Sequence, residues 1–107
     1  MSSRYRLSPA AVVDMEAIVD YLRERNPLAA VRFIESAQAT FEHVAFMPLA
    51  YPKLRTDTAA LADSRWRPLT GAFRRYLVFY RVAGEGLVDV VRLLHSARDL
   101  DRVLDEE

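Results

Sequence analysis

Two apolar runs near the end of the chain constrain its fold most. Residues 73–82 read FRRYLVFYRV and residues 87–95 read LVDVVRLLH, and both runs are rich in β-branched and aromatic residues. The four residues between them, Ala83-Gly84-Glu85-Gly86, supply glycines that a hairpin turn uses for positive φ. The sequence therefore predicts strands at Phe73–Val82 and Leu87–His95, preceded by a shorter strand at Arg65–Leu69.

Two proline-led segments earlier in the chain predict a helical hairpin. Ser8-Pro9 provides an N-cap hydroxyl and a proline at the first helical position, and Asn26-Pro27 ends this helix and begins the next. The apolar residues of the two helices recur at three- and four-residue spacing, so each set shares one face. They are Val12, Met15, Ile18, Val19 and Leu22 in the first helix, and Ala30, Phe33, Ile34, Ala37, Phe41 and Val44 in the second.

A short strand at residues 4–7 completes an α+β fold of order β-α-α-β-β-β with a helical tail, as one domain over residues 1–107. Residues 48–64 are expected to form a loop with a turn of helix at Ala59–Ala62. The helical hairpin packs on one face of a small, mostly antiparallel sheet. Both faces of the two long strands are apolar, as in sheets covered on both sides. Because the tail after Ser96 is short, we expect a partner from outside to cover the second face.

The net charge is zero, but its distribution is uneven. Residues 65–98 contain seven arginines and two acids, net +5, and residues 99–107 contain five acids and one arginine, net −4. The basic stretch suits an anionic partner, either nucleic acid or an acidic protein segment. A solvated face with local ion pairs remains the alternative.

Several classes of protein are disfavoured by composition. There is no cysteine, which excludes disulfides and thiolate metal sites, and the two histidines are far apart without clustered carboxylates, so we expect no metal or other cofactor. No apolar run reaches the roughly 20 residues of a membrane span. The N-terminal residues MSSRYRLSP lack the apolar region of a signal peptide, which favours a cytoplasmic location.

The ordered combination of these segments resembles a known family. YRLSPAAVVDMEAIVDYL, ERNPLAAVRFI, GAFRRYLVFYRV and VDVVRLLHSARDL together resemble the ParE branch of the RelE/ParE toxin superfamily, over nearly the whole chain. The resemblance implies a small bacterial toxin of a type II toxin-antitoxin system that a cognate, ParD-like antitoxin neutralises by direct binding. It also implies DNA gyrase as the target for the ParE branch, whereas the RelE branch cleaves mRNA on the ribosome.

The residues themselves favour the first branch. RNA cleavage needs groups that transfer protons, and RelE-type toxins often supply a tyrosine near the C-terminus, whereas this chain has none after Tyr80. The arginines of its basic stretch are poor proton-transfer groups, and among the residues of that stretch only His95 has a suitable unperturbed pKa. We therefore expect a toxin without catalytic residues and without sequence-specific nucleic-acid binding. An mRNA endonuclease and a non-toxic antitoxin-binding homologue remain the alternatives.

The candidate contact residues lie in the basic stretch and its C-terminal end. We expect antitoxin or target contacts from Arg74, Arg75, Tyr80, Arg81, Arg92, His95 and Arg98, with Arg81, Arg92 and Arg98 foremost. A cation in mid-strand, such as Arg92, requires an acidic partner or an open face. For His95 a structural position at the sheet end is the main reading, with Ser96 as the N-cap of a helix over Ala97–Leu104 and Asp99 as its N3 residue.

Overall fold

The computed structural model describes residues 4–104, so the acidic residues 105–107 of the predicted tail lie outside the described residues. The strands are β1 (Tyr5–Leu7), β2 (Arg65–Pro68), β3 (Tyr76–Val82) and β4 (Val88–His95); the helices are α1 (Pro9–Arg25), α2 (Pro27–Phe46) and α3 (Leu100–Leu104). The sheet order is β1-β4-β3-β2, with β1 parallel to β4 and the other neighbours antiparallel. The predicted α+β fold is confirmed.

The starts of both long helices are stabilised as the sequence predicts. The Ser8 hydroxyl accepts a hydrogen bond from the Ala11 amide at 3.1 Å, and the Asn26 side chain accepts one from the Ala29 amide at 3.2 Å. Both helices have proline in the first turn. Asn26 also closes α1, since its own amide donates to the Leu22 carbonyl. One residue thus ends one helix and begins the next.

The helical hairpin covers one face of the sheet and forms the larger core. The fully buried side chains there include Phe33, Phe41 and Val44 of α2 and Val78, Tyr80, Val88 and Val90 of the sheet. Burying such side chains contributes about 1.5–3 kcal/mol each before the loss of conformational entropy is counted. This core fixes α1 and α2 against β3 and β4.

The second face of the sheet is covered by the chain itself, so the expectation that an outside partner covers it is wrong. A second-face cluster consists of Leu61, Phe79, Val91, Leu94 and Val103, all buried. Leu54 comes from the long loop, and Leu100 and Leu104 come from α3. The five residues of α3 suffice because Leu61 of the loop covers the rest. The Thr58 hydroxyl joins the two covering segments by donating to the Leu104 carbonyl at 2.7 Å.

Two element boundaries differ by three residues from the sequence-based ones, and the others by at most one residue. Strand β3 begins at Tyr76 and not at Phe73, because Gly71–Phe73 forms a 3-10 turn that Gly71 enters with φ of 66°. Helix α3 begins at Leu100 and not at Ala97, because residues 96–99 form a turn. The predicted helical turn in the long loop is present at Ala59–Leu61. The first shift leaves Arg74 and Arg75 outside the sheet, immediately before β3.

Candidate partner-binding surface

Arg92 is held in an internal ion pair. Its Nε and Nη2 atoms donate to the two carboxylate oxygens of Asp14 at 2.8 and 3.0 Å, and the two side chains are only 18% and 12% exposed. The Asp14 carboxylate also accepts from the Leu93 amide at 3.0 Å. Strand β1 ends at Leu7, which pairs with Val90. Beyond that point, α1 lies beside β4, and its Asp14 bonds to the β4 backbone. Arg92 therefore has the acidic partner that its mid-strand position requires.

Arg81 anchors the long loop. Its Nε donates to the Ala62 carbonyl at 2.6 Å and its Nη2 donates to the Ala60 carbonyl at 3.0 Å. These carbonyls lie beside Leu61, which is fully buried in the second-face cluster. Arg81 thus fixes the segment that covers this face. Arg81 therefore has a structural role, and the contact predicted between Arg81 and a partner stays a prediction.

Tyr80 lies inside the larger core. Its side chain is fully buried, and its hydroxyl donates to the Pro48 carbonyl at 2.7 Å. Burial raises the pKa of the Tyr80 hydroxyl to about 12, against a smaller opposing effect of the Arg65 guanidinium. In this conformation Tyr80 offers no surface to a partner, because the loop after α2 closes over it.

The remaining candidates meet at one end of the sheet, which we call the basic end: Arg74, Arg75, His95 and Arg98. Arg75 comes directly before β3, and its carbonyl accepts from the Ser96 amide at 2.7 Å, which brings the start of β3 to the turn after β4. Within residues 4–104 the exposed side chains of Arg74 and Arg75 make no hydrogen bond or ion pair. Two of the four residues of the basic end thus have exposed guanidinium groups that no described residue occupies.

Arg98 connects the basic end to α1. Its guanidinium lies 5.1 Å from the centre of the Tyr21 ring and donates to the Tyr76 hydroxyl at 3.2 Å. A second guanidinium, that of Arg25, lies 3.8 Å from the centre of the same ring. A shallow groove of about 190 Å³ between α1 and the turn is lined by Ala17, Ile18, Tyr21, Arg98 and Asp99. Sequence reasoning missed Tyr21, because it lies off the apolar stripe of α1.

His95 holds the turn after β4, as its structural reading predicts. Its Nδ1 accepts from the backbone amides of Ala97 and Arg98 at 3.1 and 3.2 Å, and its own amide donates to the Asp99 carboxylate at 3.0 Å. The capping role expected of Ser96 is thus filled by His95, whose ring reaches the free amides of the turn. Burial and then the Arg98 guanidinium lower the pKa of His95, and the Asp99 carboxylate opposes them.

The structure also brings out an apolar segment that sequence reasoning missed. Phe46, Met47 and Leu49, at the end of α2 and just beyond it, are 82%, 46% and 68% exposed. The available signal was that Phe46 falls outside the stripe that ends in Phe41 and Val44. Large exposed apolar side chains in a row are typical of protein contacts.

The described residues place limits on metal binding and on a membrane span. Among residues 4–104, no group of three or more His, Cys, Asp or Glu side chains is arranged to hold a metal ion. In the same range, no helix combines the length and apolar character that a membrane span requires.

Comparison with known proteins agrees with this architecture. Residues 5–100 match the family described as "ParE toxin of type II toxin-antitoxin system, parDE". Among curated proteins, Toxin ParE1 of Mycobacterium tuberculosis strain CDC 1551 / Oshkosh is 35% identical over 105 residues, covering 97% of this chain and 100% of that protein. Toxin ParE1 of strain ATCC 25618 / H37Rv matches to the same extent.

Proposed function

Because this chain belongs to the ParE toxin family of type II toxin-antitoxin systems, we propose that it inhibits DNA gyrase and that a ParD-like antitoxin neutralises it by direct binding. The family implies an antitoxin partner; gyrase and the ParD-like character of the antitoxin are the proposed parts. A cytoplasmic location belongs to the same proposal, since gyrase acts on the chromosome. The basic end is the observation that carries the proposal.

The chemistry of the basic end supports binding without catalysis. Arginine side chains stay protonated at neutral pH, so they hold anions and do not transfer protons. His95 is the one group there with a suitable ordinary pKa, and its Nδ1 is already occupied by two backbone amides. A lowered pKa keeps the ring neutral at pH 7. This arrangement favours a contact surface over a nuclease site.

Antitoxin binding is proposed to use the basic end and the apolar segment together. Arg74, Arg75 and Arg98 present forked N–H donors that match carboxylates, so an acidic stretch of the antitoxin is the expected partner there. Phe46, Met47 and Leu49 offer apolar area for the same antitoxin. A stable complex buries about 1,200 Å² or more in total, so we expect the antitoxin to cover both surfaces.

The decisive experiment is a gyrase supercoiling assay with purified toxin. We expect wild-type toxin to block supercoiling or trap cleaved DNA, and the Arg75→Ala/Arg98→Ala variant to lose most of this effect. Lys53→Ala/Arg55→Ala, which removes two exposed cations of the long loop, serves as the matched charge control. Equal activity of both variants would contradict the role of the basic end.

Two parallel assays distinguish the alternatives. Cleavage of ribosome-bound mRNA with unaffected gyrase would establish the RelE-type endonuclease instead. Normal growth on expression of the toxin alone, with tight antitoxin binding retained, would identify a non-toxic homologue. His95→Asn is informative in both assays. Its side-chain oxygen lies near the place of Nδ1 and can keep the turn closed, so a binding mechanism predicts that this variant keeps much of its toxicity.

A further inference from the structure

The turn that follows β4 is closed by two side chains, the His95 ring and the Asp99 carboxylate, which accepts from the His95 amide. Both amides that the His95 ring caps belong to residues 96–99, and the Asp99 amide donates to the His95 carbonyl at 2.9 Å. An Nδ1 that accepts hydrogen bonds carries no proton, so the ring proton must lie on Nε2. Turning the ring over would replace Nδ1 by a carbon and lose both bonds. The closed turn therefore requires neutral His95.

The turn at residues 96–99 holds α3 in place. Val103 is fully buried in the second-face cluster, and Leu100 and Leu104 pack against it. A helix of five residues is not stable in isolation, because nucleation is unfavourable and few internal hydrogen bonds repay it. The position of α3 depends on its apolar contacts and on the turn that delivers it. Opening the turn removes one of these two supports.

The groups around His95 come from three parts of the chain. Arg98 and Asp99 lie in the turn itself, Arg75 lies just before β3, and the Tyr76 ring of β3 stands edge-on at 5.1 Å. Asp99 is the one carboxylate among them, and it is shared with the His95 amide and with Arg102 at 3.6 Å. A positive charge on His95 would face two guanidinium groups and the two amides that it caps.

We propose that protonation of His95 opens the turn at residues 96–99 and releases α3 from the second-face cluster, while the helical hairpin and the sheet stay folded. The proton converts Nδ1 from an acceptor into a donor that faces two N–H groups. Phe79 and Leu94 then become accessible from the side that α3 covers. This inference concerns the fold alone and does not depend on gyrase or on an antitoxin.

The direction of the pH effect follows from linkage. With the turn open, His95 has an ordinary pKa of about 6.5. With the turn closed, burial and Arg98 lower its pKa, so the open form binds the proton more readily. The equilibrium between closed and open turn therefore shifts toward the open form as the pH falls below about 6.5, by up to about tenfold per pH unit until the lowered pKa is passed.

Two measurements on the full chain report on this step. Trp66 is the single tryptophan and packs against the second-face cluster, so release of α3 should shift its fluorescence to longer wavelength between pH 7.5 and pH 5. Hydrogen exchange, corrected for the intrinsic pH dependence, should show faster opening at the amides of Ala97, Arg98 and Val103. The amides of Val78 and Val90 in the sheet should keep their protection.

Two substitutions at position 95 form a matched pair. In His95→Asn the side-chain oxygen lies near the place of Nδ1 and can cap the same amides, but it does not titrate. We expect this variant to keep α3 in place at both pH values. In His95→Gln the longer side chain carries its amide past that place, so α3 should be released at both pH values.

Several outcomes would overturn the proposal that protonation of His95 releases α3. One is constant protection of Ala97 and Val103 between pH 7.5 and pH 5 while the His95 ring is seen by NMR to take up its proton. Another is loss of protection in the sheet in step with α3, which would mean global unfolding. A pH response of His95→Asn equal to that of wild type would show that another group is responsible, whether or not His95→Gln folds.

Discussion

The middle of β4 and the turn that follows it each contain an arginine, and the two are held in opposite ways. Arg92 is mostly buried, with two hydrogen bonds to one carboxylate of α1. Arg98, six positions later, is exposed and makes one 3.2 Å bond to a tyrosine hydroxyl. Burial and the nearest acid therefore decide whether a guanidinium supports the fold or stays accessible to a partner.

The two arginines differ because Asp14 lies beside Arg92 and, within residues 4–104, no such carboxylate is available to Arg98. Asp14 accepts from both nitrogens of Arg92 and from the Leu93 amide, and so satisfies an edge of β4 that β1 does not reach. The Ser8 hydroxyl satisfies another backbone group on this edge of β4, because it donates to the Val91 carbonyl at 2.8 Å. At the turn the nearest carboxylate, Asp99, is taken up by the His95 amide and by Arg102. Arg98 therefore has no acid of its own among the described residues.

The largest effect on stability is expected at Arg92. Arg92→Ala leaves the Asp14 carboxylate mostly buried without its counter-charge, which should lower the free energy of unfolding by about 3 kcal/mol. Denaturant unfolding measures this change. Adding Asp14→Asn should recover part of the loss, since the asparagine oxygen still accepts from the Leu93 amide and no charge is left uncompensated. If Arg92→Ala is as stable as wild type, the distinction between the two regions fails.

The opposite result is expected at the basic end. Arg75→Ala and Arg98→Ala should change the free energy of unfolding by under about 0.5 kcal/mol, because both side chains are exposed. Each should weaken antitoxin binding by about 2 kcal/mol, roughly thirtyfold. Titration calorimetry with the purified antitoxin measures this loss. Arg98→Lys should also bind more weakly, since lysine lacks the forked donors; unchanged affinity in all three variants would place the antitoxin elsewhere.

A smaller effect concerns Tyr80, which the sequence placed among the contact residues and the structure places in the core. Tyr80→Phe should cost about 1 kcal/mol, because the Pro48 carbonyl loses its hydrogen bond. Folding raises the pKa of Tyr80 from about 10 to about 12, so its contribution is complete below pH 10 and is lost as the pH rises toward 12. Tyr80→Phe should therefore flatten the alkaline part of the stability profile.

Antitoxin affinity is the control for that variant. A buried Tyr80 predicts affinity equal to that of wild type after Tyr80→Phe, whereas a contact role predicts a loss. The same titration that measures Arg98→Ala decides between them.

Local chemistry made the fold predictable and the site only partly so. Ser8-Pro9 and Asn26-Pro27 act through bonds three residues away, and the prediction of both helix starts is confirmed. The prediction for the second face of the sheet was wrong, because it counted the tail alone and omitted Leu61 of a loop without clear periodicity. The sequence did not distinguish Arg81 and Arg92 from Arg98. The groups that bind Arg81 and Arg92 lie about 20 and 78 positions away along the chain, beyond the reach of any local pattern.

The amino-acid sequence alone was enough to predict the order of elements, the two helix starts, the hairpin of β3 and β4 and the excess of arginine in the second half of the chain. These follow from backbone preferences and periodicity within a few residues. Only the tertiary structure decided which arginines are occupied, that Tyr80 is buried, that α3 and the loop close the second face, and that His95 takes the cap expected of Ser96. Each of these depends on contacts between side chains distant in sequence, or on the reach of one ring over a turn, and the free energy of an ion pair or a cap exists only once that geometry is formed.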